Sequence, residues 1–302
     1  LWDDVAKANE VAMRVVNAQA KAAGRPPAEC GHYMEWLEYA YYQQGRFRDA
    51  ERALQACRQS IEPSIAWANA HADRLATMQS TPTKFAQMLN KSLLQMRAIA
   101  VVESGDGNGP AAHTTVDTTG MGPDAGWNDF TEGYAAIERH DLPAAQKSLA
   151  ALSARHAGSE TSGDAQTTSY LAILREDLGG MLAIGEGKPQ SGLDAIRRAA
   201  RRYETLAFDF GPPVPIKPPH ELLGEQLLRQ GKATEARAAF GTALKSAPRR
   251  TRSLLGRARA ESASGDTAAA TATYKELMTI WHSADADLPA LAEAKGFVAA
   301  HP

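Results

Sequence analysis

Side chains at the start of one predicted helix have the spacing of a metal site. His32 and Glu35 are three residues apart, so they share one face of a helix that begins near residue 32. Cys30 lies just before them, and imidazole, carboxylate and thiolate all bind zinc. Trp36 shares that face and favours packing instead. Packing is the favoured interpretation, so we predict no metal ligand and no cofactor, although a transition-metal site stays open.

A second histidine, His220, opens another predicted helix after two prolines. Glu221 is adjacent in sequence and therefore points away from it, because only residues three or four apart share a helix face. Leu223 and Gly224 do share the face of His220. This pattern is more typical of a packed histidine at a helix start than of a ligand.

The motifs that identify common enzyme classes are absent from the sequence. It contains no G-x-S-x-G elbow, H-E-x-x-H, C-x-x-C or P-loop. The longest stretch without a helical pattern, residues 104–125, includes His113, Asp117 and Asp124, and a mobile tether is favoured over a set of ligands there. We predict that the protein is not an enzyme. An enzyme that uses this stretch as a lid is the least favoured alternative.

Charge and hydropathy narrow the classes of partner. A net charge of −2 argues against a surface dominated by phosphate contacts, so we predict no nucleic acid partner. Four arginines cluster at 197–202, and a solvated helix face explains them best. No run of 18 apolar residues exists in the sequence, so we predict no membrane span. Oligomeric state and compartment, cytoplasm or periplasm, stay open.

The two cysteines, Cys30 and Cys57, are too few for a disulfide scaffold. Cys30 precedes the first helix of a predicted antiparallel pair and Cys57 lies near the end of the second. Those ends meet, so a disulfide is geometrically possible. Two buried free thiols are the favoured interpretation.

The clearest pattern is an internal repeat in the C-terminal third. Small residues that permit close helix packing, a turn glycine and a large wedge occur in a fixed order in residues 217–248. They recur 34 residues later: Gly231 is followed by Gly265, and Phe240 by Tyr274. A period of this length is typical of stacked helical hairpins. The pattern predicts an all-α superhelix.

Earlier segments follow the same pattern less regularly. Helical pairs are predicted at 32–59, where Pro63 closes the unit, then at 64–103, 126–156 and 166–207, with a closing helix at 286–299. We predict an N-terminal helical-repeat lobe at 1–103, a flexible linker loop at 104–125 and a C-terminal lobe at 126–302.

The order His220-x-x-Leu223-Gly224-x-x-Leu227, then Gly231 and Ala236-x-x-x-Phe240, resembles the tetratricopeptide repeat. The whole chain is similar to the C-terminal half of a bacterial family of such proteins, on the segments 1–13, 26–46 and 216–232. The resemblance implies a further helical region upstream. It brings a fold rather than an activity.

The resemblance also implies which residues line the concave face, because the first helix of each pair lies there. Aromatic side chains close to charged ones are typical of binding surfaces, although aromatics that pack between helices are the alternative. The predicted groove residues are His32, Glu35, Tyr39, Tyr42, Gln43, Trp127, Phe130, Tyr134, Glu221, Glu225, Arg229 and Arg259.

We therefore predict a non-catalytic binding scaffold that holds a peptide or protein segment in the concave groove. The alternative is a small-ligand or metal-binding protein with a pocket between the two lobes. His32, Glu35 and His220 are the first candidates for that pocket.

Overall fold

The computed structural model describes residues 1–161, 164–207 and 211–302, and within these ranges it contains helices and no strand. The helices are α1 (Trp2–Ala22), α2 (His32–Gln43), α3 (Phe47–Ala70), α4 (Ala72–Thr77), α5 (Pro82–Ser104), α6 (Gly126–Glu138), α7 (Leu142–Ser159), α8 (Ala165–Gly185), α9 (Pro189–Tyr203), α10 (Pro219–Arg229), α11 (Ala233–Ser246), α12 (Thr251–Ala263), α13 (Thr267–Ile280) and α14 (Pro289–Ala300). A single 3₁₀ turn, Gly122–Ala125, precedes α6. The prediction of an all-α helical-repeat superhelix is confirmed, because consecutive helices pack in antiparallel pairs.

The C-terminal repeats α10–α13 follow the predicted pattern. Gly231 and Gly265 end the first helix of each pair with φ of 73° and 82°, a left-handed conformation that side chains disfavour. Phe240 of α11 packs between Gly224 of α10 and Gly256 of α12. A Cβ atom at either glycine would lie within 2.9 Å of the Phe240 ring. These glycines therefore fix how closely the successive helices approach.

The middle pairs use glycine in the same way. A Cβ atom at Gly133 of α6 would lie 2.5 Å from Leu178 of α8, so these two helices pack closely. The backbones of α8 and α9 come into contact where Gly180 and Gly192 meet, since a Cβ atom at Gly192 would lie 2.4 Å from the Gly180 carbonyl oxygen. Both glycines are therefore close-packing positions of the α8–α9 pair.

Pro63 does not close a unit, which corrects the sequence prediction. Helix α3 continues through it to Ala70. A proline inside a helix removes one backbone hydrogen bond and costs about 3 kcal/mol. Beyond the proline, Ser64 and Ala68 continue the buried face that begins with Ala53 and Cys57, and α3 packs along α5. Continued packing of that face offsets the local cost.

The structure also corrects the interpretation of the cysteines. Cys30 and Cys57 form a disulfide with their Cα atoms 4.7 Å apart, so they are not free thiols, and Cys30 is not a metal ligand. The bond ties the segment before α2 to the middle of α3. The sequence placed the two cysteines at meeting helix ends, but it did not distinguish thiols from a bridge.

Segment 105–121 connects α5 to the 3₁₀ turn and is bound to α5 through Arg97. This arginine is 1% exposed and donates to the carbonyl oxygens of Ala111 and Ala112 at 3.0 and 2.9 Å. Thr114 of the same segment is also buried. The division of the chain into two lobes at 104–125 stays a prediction.

The N-terminal helices close onto the C-terminal repeats. The indole nitrogen of Trp2 donates to the Arg249 carbonyl at 2.9 Å, and the backbone nitrogen of Asp285 donates to the Gly45 carbonyl at 3.0 Å. Helices α2 and α5 also contact α12, the first helix of the last pair, because the Thr251 backbone nitrogen donates to Gln43 at 2.9 Å and Arg252 donates to the Val102 carbonyl at 2.8 Å. Since first helices line the concave face of such a superhelix, that face is partly occupied by the chain itself.

Candidate functional site

An open cleft remains between the C-terminal repeats and the N-terminal helices. Its volume is about 540 Å³, and α10, α12 and the start of α14 face α2 and the end of α5 across it. Leu228, Leu255 and Trp281 supply apolar surface. Charged residues also line the cleft: Glu103, Glu138, Glu225, Arg229, Arg252 and Arg259. The cleft therefore offers both apolar area and polar groups, as binding sites commonly do.

Six charged residues form what we call the buried charge cluster at the floor of this cleft: Glu103, Lys217, Glu221, Glu225, Arg250 and Arg252. Lys217 Nζ donates to Glu221 at 3.0 Å and to Glu225 at 2.7 Å. Arg250 makes a two-pronged contact with Glu221 at 2.6 and 2.9 Å and an ion pair with Glu103 at 2.7 Å. Three positive and three negative side chains balance one another, which is a condition for burying charge.

Hydrogen bonds extend the cluster to the N-terminal helices. Arg250 donates to the Tyr39 hydroxyl of α2 at 2.8 Å, and Arg252 donates to the carbonyl oxygens of Val102 and Glu103 at 2.8 and 3.0 Å. Cations stabilise the exposed carbonyls at a helix C-terminus, which is the role of Arg252 at the end of α5. The cluster thus joins α2 and α5 to α10 and α12.

The pKa values of the two acids on α10 reflect this arrangement. Burial disfavours the Glu221 carboxylate, but Arg250, Lys217 and Arg252 outweigh burial and hold its pKa well below the usual range. Burial likewise opposes ionisation of Glu225, while Arg252 and Lys217 lower its pKa overall. Both acids are therefore ionised at neutral pH and hold the cations in place.

The structure separates the predicted groove residues into three sets. Three of them line the cleft with side chains that are not fully buried: Glu225, Arg229 and Arg259. Three line a different cavity: His32, Glu35 and Trp127. The remaining six are buried: Tyr39, Tyr42, Gln43, Phe130, Tyr134 and Glu221. Of these six, Tyr42 still lines the cleft, whereas Tyr39, Gln43 and Glu221 take part in interior hydrogen bonds. Ligand contact by any of the twelve stays a prediction.

Sequence reasoning missed several residues that shape the site. Lys217, Arg250 and Glu103 were not selected, and neither was Trp281 of the cleft wall. Lys217, Glu221 and Glu225 follow one another at intervals of four, which is a signal of one charged helix face. Arg250 lies 211 residues from Tyr39, so no local pattern pointed to their hydrogen bond.

The histidines behave differently from one another. His220 Nε2 lies 2.7 Å from Glu204 Oε1, while the His32 ring lies 5.3 Å from that of Trp36. No group of three or more His, Cys, Asp or Glu side chains converges as a metal site within the described parts of the chain.

Residues 222–284 match the family model of the tetratricopeptide repeat, and they correspond to the helices whose glycine and phenylalanine contacts are described above. This part of the chain consists of tetratricopeptide repeats. Such repeats are typical of scaffolds for protein interaction rather than of catalysts. Comparison with curated proteins and with solved structures gives no significant match. Among the described helices, none combines the length and apolar character needed to cross a bilayer.

Proposed function

We propose that this protein holds an extended segment of a partner protein in the cleft between α10, α12 and the N-terminal helices. The observation on which the proposal rests is the cleft itself, which combines apolar walls with Trp281, whose indole N–H has no partner among the described residues. Leu228, Leu255 and Trp281 supply surface for side chains. A partner segment would bury that surface, at about 25 cal/mol per Å² of apolar area.

The cleft continues into two neighbouring cavities, which supports an extended ligand. Glu138 and Arg229 line both the cleft and a cavity of about 600 Å³ between α6, α8 and α10. Tyr42 and Ser104 line both the cleft and a cavity of about 450 Å³ beside α3 and segment 106–114. An extended chain advances about 3.3 Å per residue, so a path of this kind accepts several residues in a row.

Two donors along this path have no partner among the described residues. They are the buried indole Nε1 of Trp281 and the buried amide Nε2 of Gln230. The Trp281 side chain, 4% exposed, lines the cleft, and Gln230 lines the adjoining cavity. Buried donors without partners are unfavourable, by about 1–3 kcal/mol each. Main-chain carbonyl oxygens of a bound segment would satisfy them.

The charges along the path favour recognition of the main chain over recognition of a charged side chain. Arg252 pairs with Glu225 at 2.7 Å, Arg259 pairs with Glu293 at 2.6 Å, and Arg229 lies 3.6 Å from Glu138. Each cation already has its anion. We therefore expect partner segments that are uncharged in their central residues, with binding that depends weakly on salt.

A defined peptide library displayed on phage tests the proposal. Peptides selected on the wild-type protein should lose about 3- to 10-fold in affinity for Trp281→Phe, which keeps an aromatic ring and removes one N–H donor. Trp67→Phe is the matched control, because Trp67 Nε1 is also buried and unpaired among the described residues but lies on α3, away from the cleft. Leu228→Ala should weaken binding as well, by removing apolar contact.

Two outcomes would contradict the proposal. One is a library that yields no enriched peptide on the folded wild-type protein. The other is a set of enriched peptides that bind Trp281→Phe and Leu228→Ala as tightly as they bind the wild-type protein.

A further inference from the structure

A separate cavity of about 320 Å³ lies where α2, α5, α6 and α8 meet the segment 212–216. It has no lining residue in common with the cleft. Three of its walls are aromatic: Trp36 of α2, Trp127 of α6 and Tyr170 of α8. The rings of Trp127 and Tyr170 are 6.3 Å apart and tilted by 58°. Aromatic faces present negative potential, and they attract cations.

A carboxylate completes this lining. Two neutral donors hold the Glu35 carboxylate. The Ser92 hydroxyl donates to it, and so does the Gln95 amide nitrogen, at 3.0 Å, in the amide orientation that satisfies both groups. Ser92 Oγ is itself fixed by the backbone nitrogen of Gly31 at 2.6 Å. The Glu35 carboxylate is therefore fixed in position without being neutralised by either donor.

The other ionisable side chains in the lining are His32, Lys91 and Asp124. Lys91 Nζ is bound to Asp124 at 2.7 Å, so this cation and anion neutralise one another. No cation among the described residues lies within ion-pair distance of Glu35. Burial raises the pKa of Glu35, and the more distant His32 and Lys91 oppose that rise only in part. The cavity thus contains one carboxylate without a counter-ion, next to aromatic rings.

We propose that this cavity binds a small organic cation, with its ammonium group at Glu35 and its apolar part against Trp36 and Trp127. The carboxylate and the aromatic rings together select a ligand by its charge and by its shape. A carboxylate attracts any cation, whereas aromatic faces favour a weakly hydrated ammonium that carries alkyl groups. A neutral molecule of the same shape would gain the apolar contact and lose the attraction to Glu35. This site is independent of the proposed protein-binding cleft.

Choline and its uncharged counterpart 3,3-dimethylbutan-1-ol test the assignment, because they differ mainly in the quaternary nitrogen. Titration calorimetry on the purified protein should show choline binding at least about 10-fold more tightly than the alcohol. Choline should also raise the melting temperature, as a ligand of the folded state does. Glu35→Gln should lower choline affinity about 10-fold and leave the weak binding of the alcohol unchanged.

Trp36→Phe provides a second variant that keeps an aromatic wall, and it should weaken choline binding less than Trp36→Leu does. Glu62→Gln, at an exposed carboxylate of α3, is the matched control and should bind choline like the wild-type protein. Equal affinity for choline and the alcohol would overturn the proposal. So would the absence of choline binding up to about 20 mM, or an affinity that Glu35→Gln leaves unchanged.

Discussion

Arg250 is the residue whose replacement tests the structure most directly. It is 0% exposed, and it makes two hydrogen bonds to Glu221, an ion pair with Glu103 and a hydrogen bond to Tyr39. Arg250→Met keeps most of the aliphatic volume and removes all of these contacts. It leaves the buried charge cluster with three carboxylates and two cations.

Removing one partner of a buried ion pair costs about 3–5 kcal/mol, because the remaining charge is neither solvated nor paired. We expect Arg250→Met to lower the free energy of unfolding by about 4 kcal/mol. The double variant Arg250→Met/Glu221→Leu restores the balance of charge. Its cost should therefore be about 2–3 kcal/mol smaller than the sum of the two single variants.

The effect should depend on pH in a defined direction. The pKa of Glu221 is lowered in the folded protein, so its contribution to stability is present above the unfolded value of 4.5 and is lost as the pH falls below it. In Arg250→Met the largest opposing charge is gone, so burial weighs more against the carboxylate and the pKa of Glu221 rises above its wild-type value. Protonation then relieves the unpaired charge. The destabilisation by Arg250→Met should therefore be largest near neutral pH and should shrink in acid.

Urea unfolding followed by circular dichroism, at about pH 7.5 and about pH 4, measures these quantities. Arg48→Met is the matched control, since Arg48 pairs with Asp287 on the surface and should contribute less than about 1 kcal/mol. A loss below about 1 kcal/mol for Arg250→Met at neutral pH, or strict additivity in the double variant, would refute the reasoning.

Three further predictions concern the rest of the chain. Gly45→Ala should destabilise the protein by at least about 1 kcal/mol more than Gly231→Ala, because both glycines are left-handed but only at Gly45 would the added Cβ lie 2.7 Å from a neighbouring side-chain atom, the Cβ of Ala284. Thermal unfolding of both variants checks this. Cys30→Ser/Cys57→Ser should lower the free energy of unfolding by about 3.5 kcal/mol, and the wild-type protein in reducing agent should be as stable as this double variant. Equal stability of the oxidised and the reduced wild-type protein would contradict the disulfide. Burial, with repulsion from nearby carboxylates, raises the pKa of Glu38, whose oxygens have no partner among the described residues. Glu38→Met should therefore stabilise the protein, and it should do so more at about pH 8 than at about pH 5, because the wild-type carboxyl group loses its proton less easily when buried. Urea titrations at these two pH values measure the difference.

Most of the fold was predictable because its signals are local. Gly231 and Gly265 lie at turns that need positive φ. Phe240 lies on the second helix of its pair, at the position where that helix contacts the next pair. These constraints act within one hairpin or between neighbours, so the 34-residue spacing reveals them. The disulfide and the course of α3 beyond Pro63 were not predictable in the same way, because each depends on how neighbouring helices pack against one another.

The site was predictable only in part. The sequence indicated Glu225, Arg229 and Arg259 as groove residues, and all three line the cleft. It also grouped Tyr39 and Tyr134 with them, since both lie on first helices. The structure buries these two tyrosines, where Arg250 bonds to the hydroxyl of Tyr39 and Arg252 lies 3.4 Å from that of Tyr134.

The sequence by itself determined the helical repeat, because helix periodicity, turn glycines and wedge residues each depend on neighbours in the chain. Only the tertiary structure decided which concave-face residues remain accessible. Helices α2 and α5 reach that face from more than 100 residues away in sequence, and the charge on Arg250 becomes part of the interior only when Glu103 and Glu221 are brought to it. Whether a first-helix side chain faces a ligand or the interior depends on what occupies the groove, and that is a property of the whole chain.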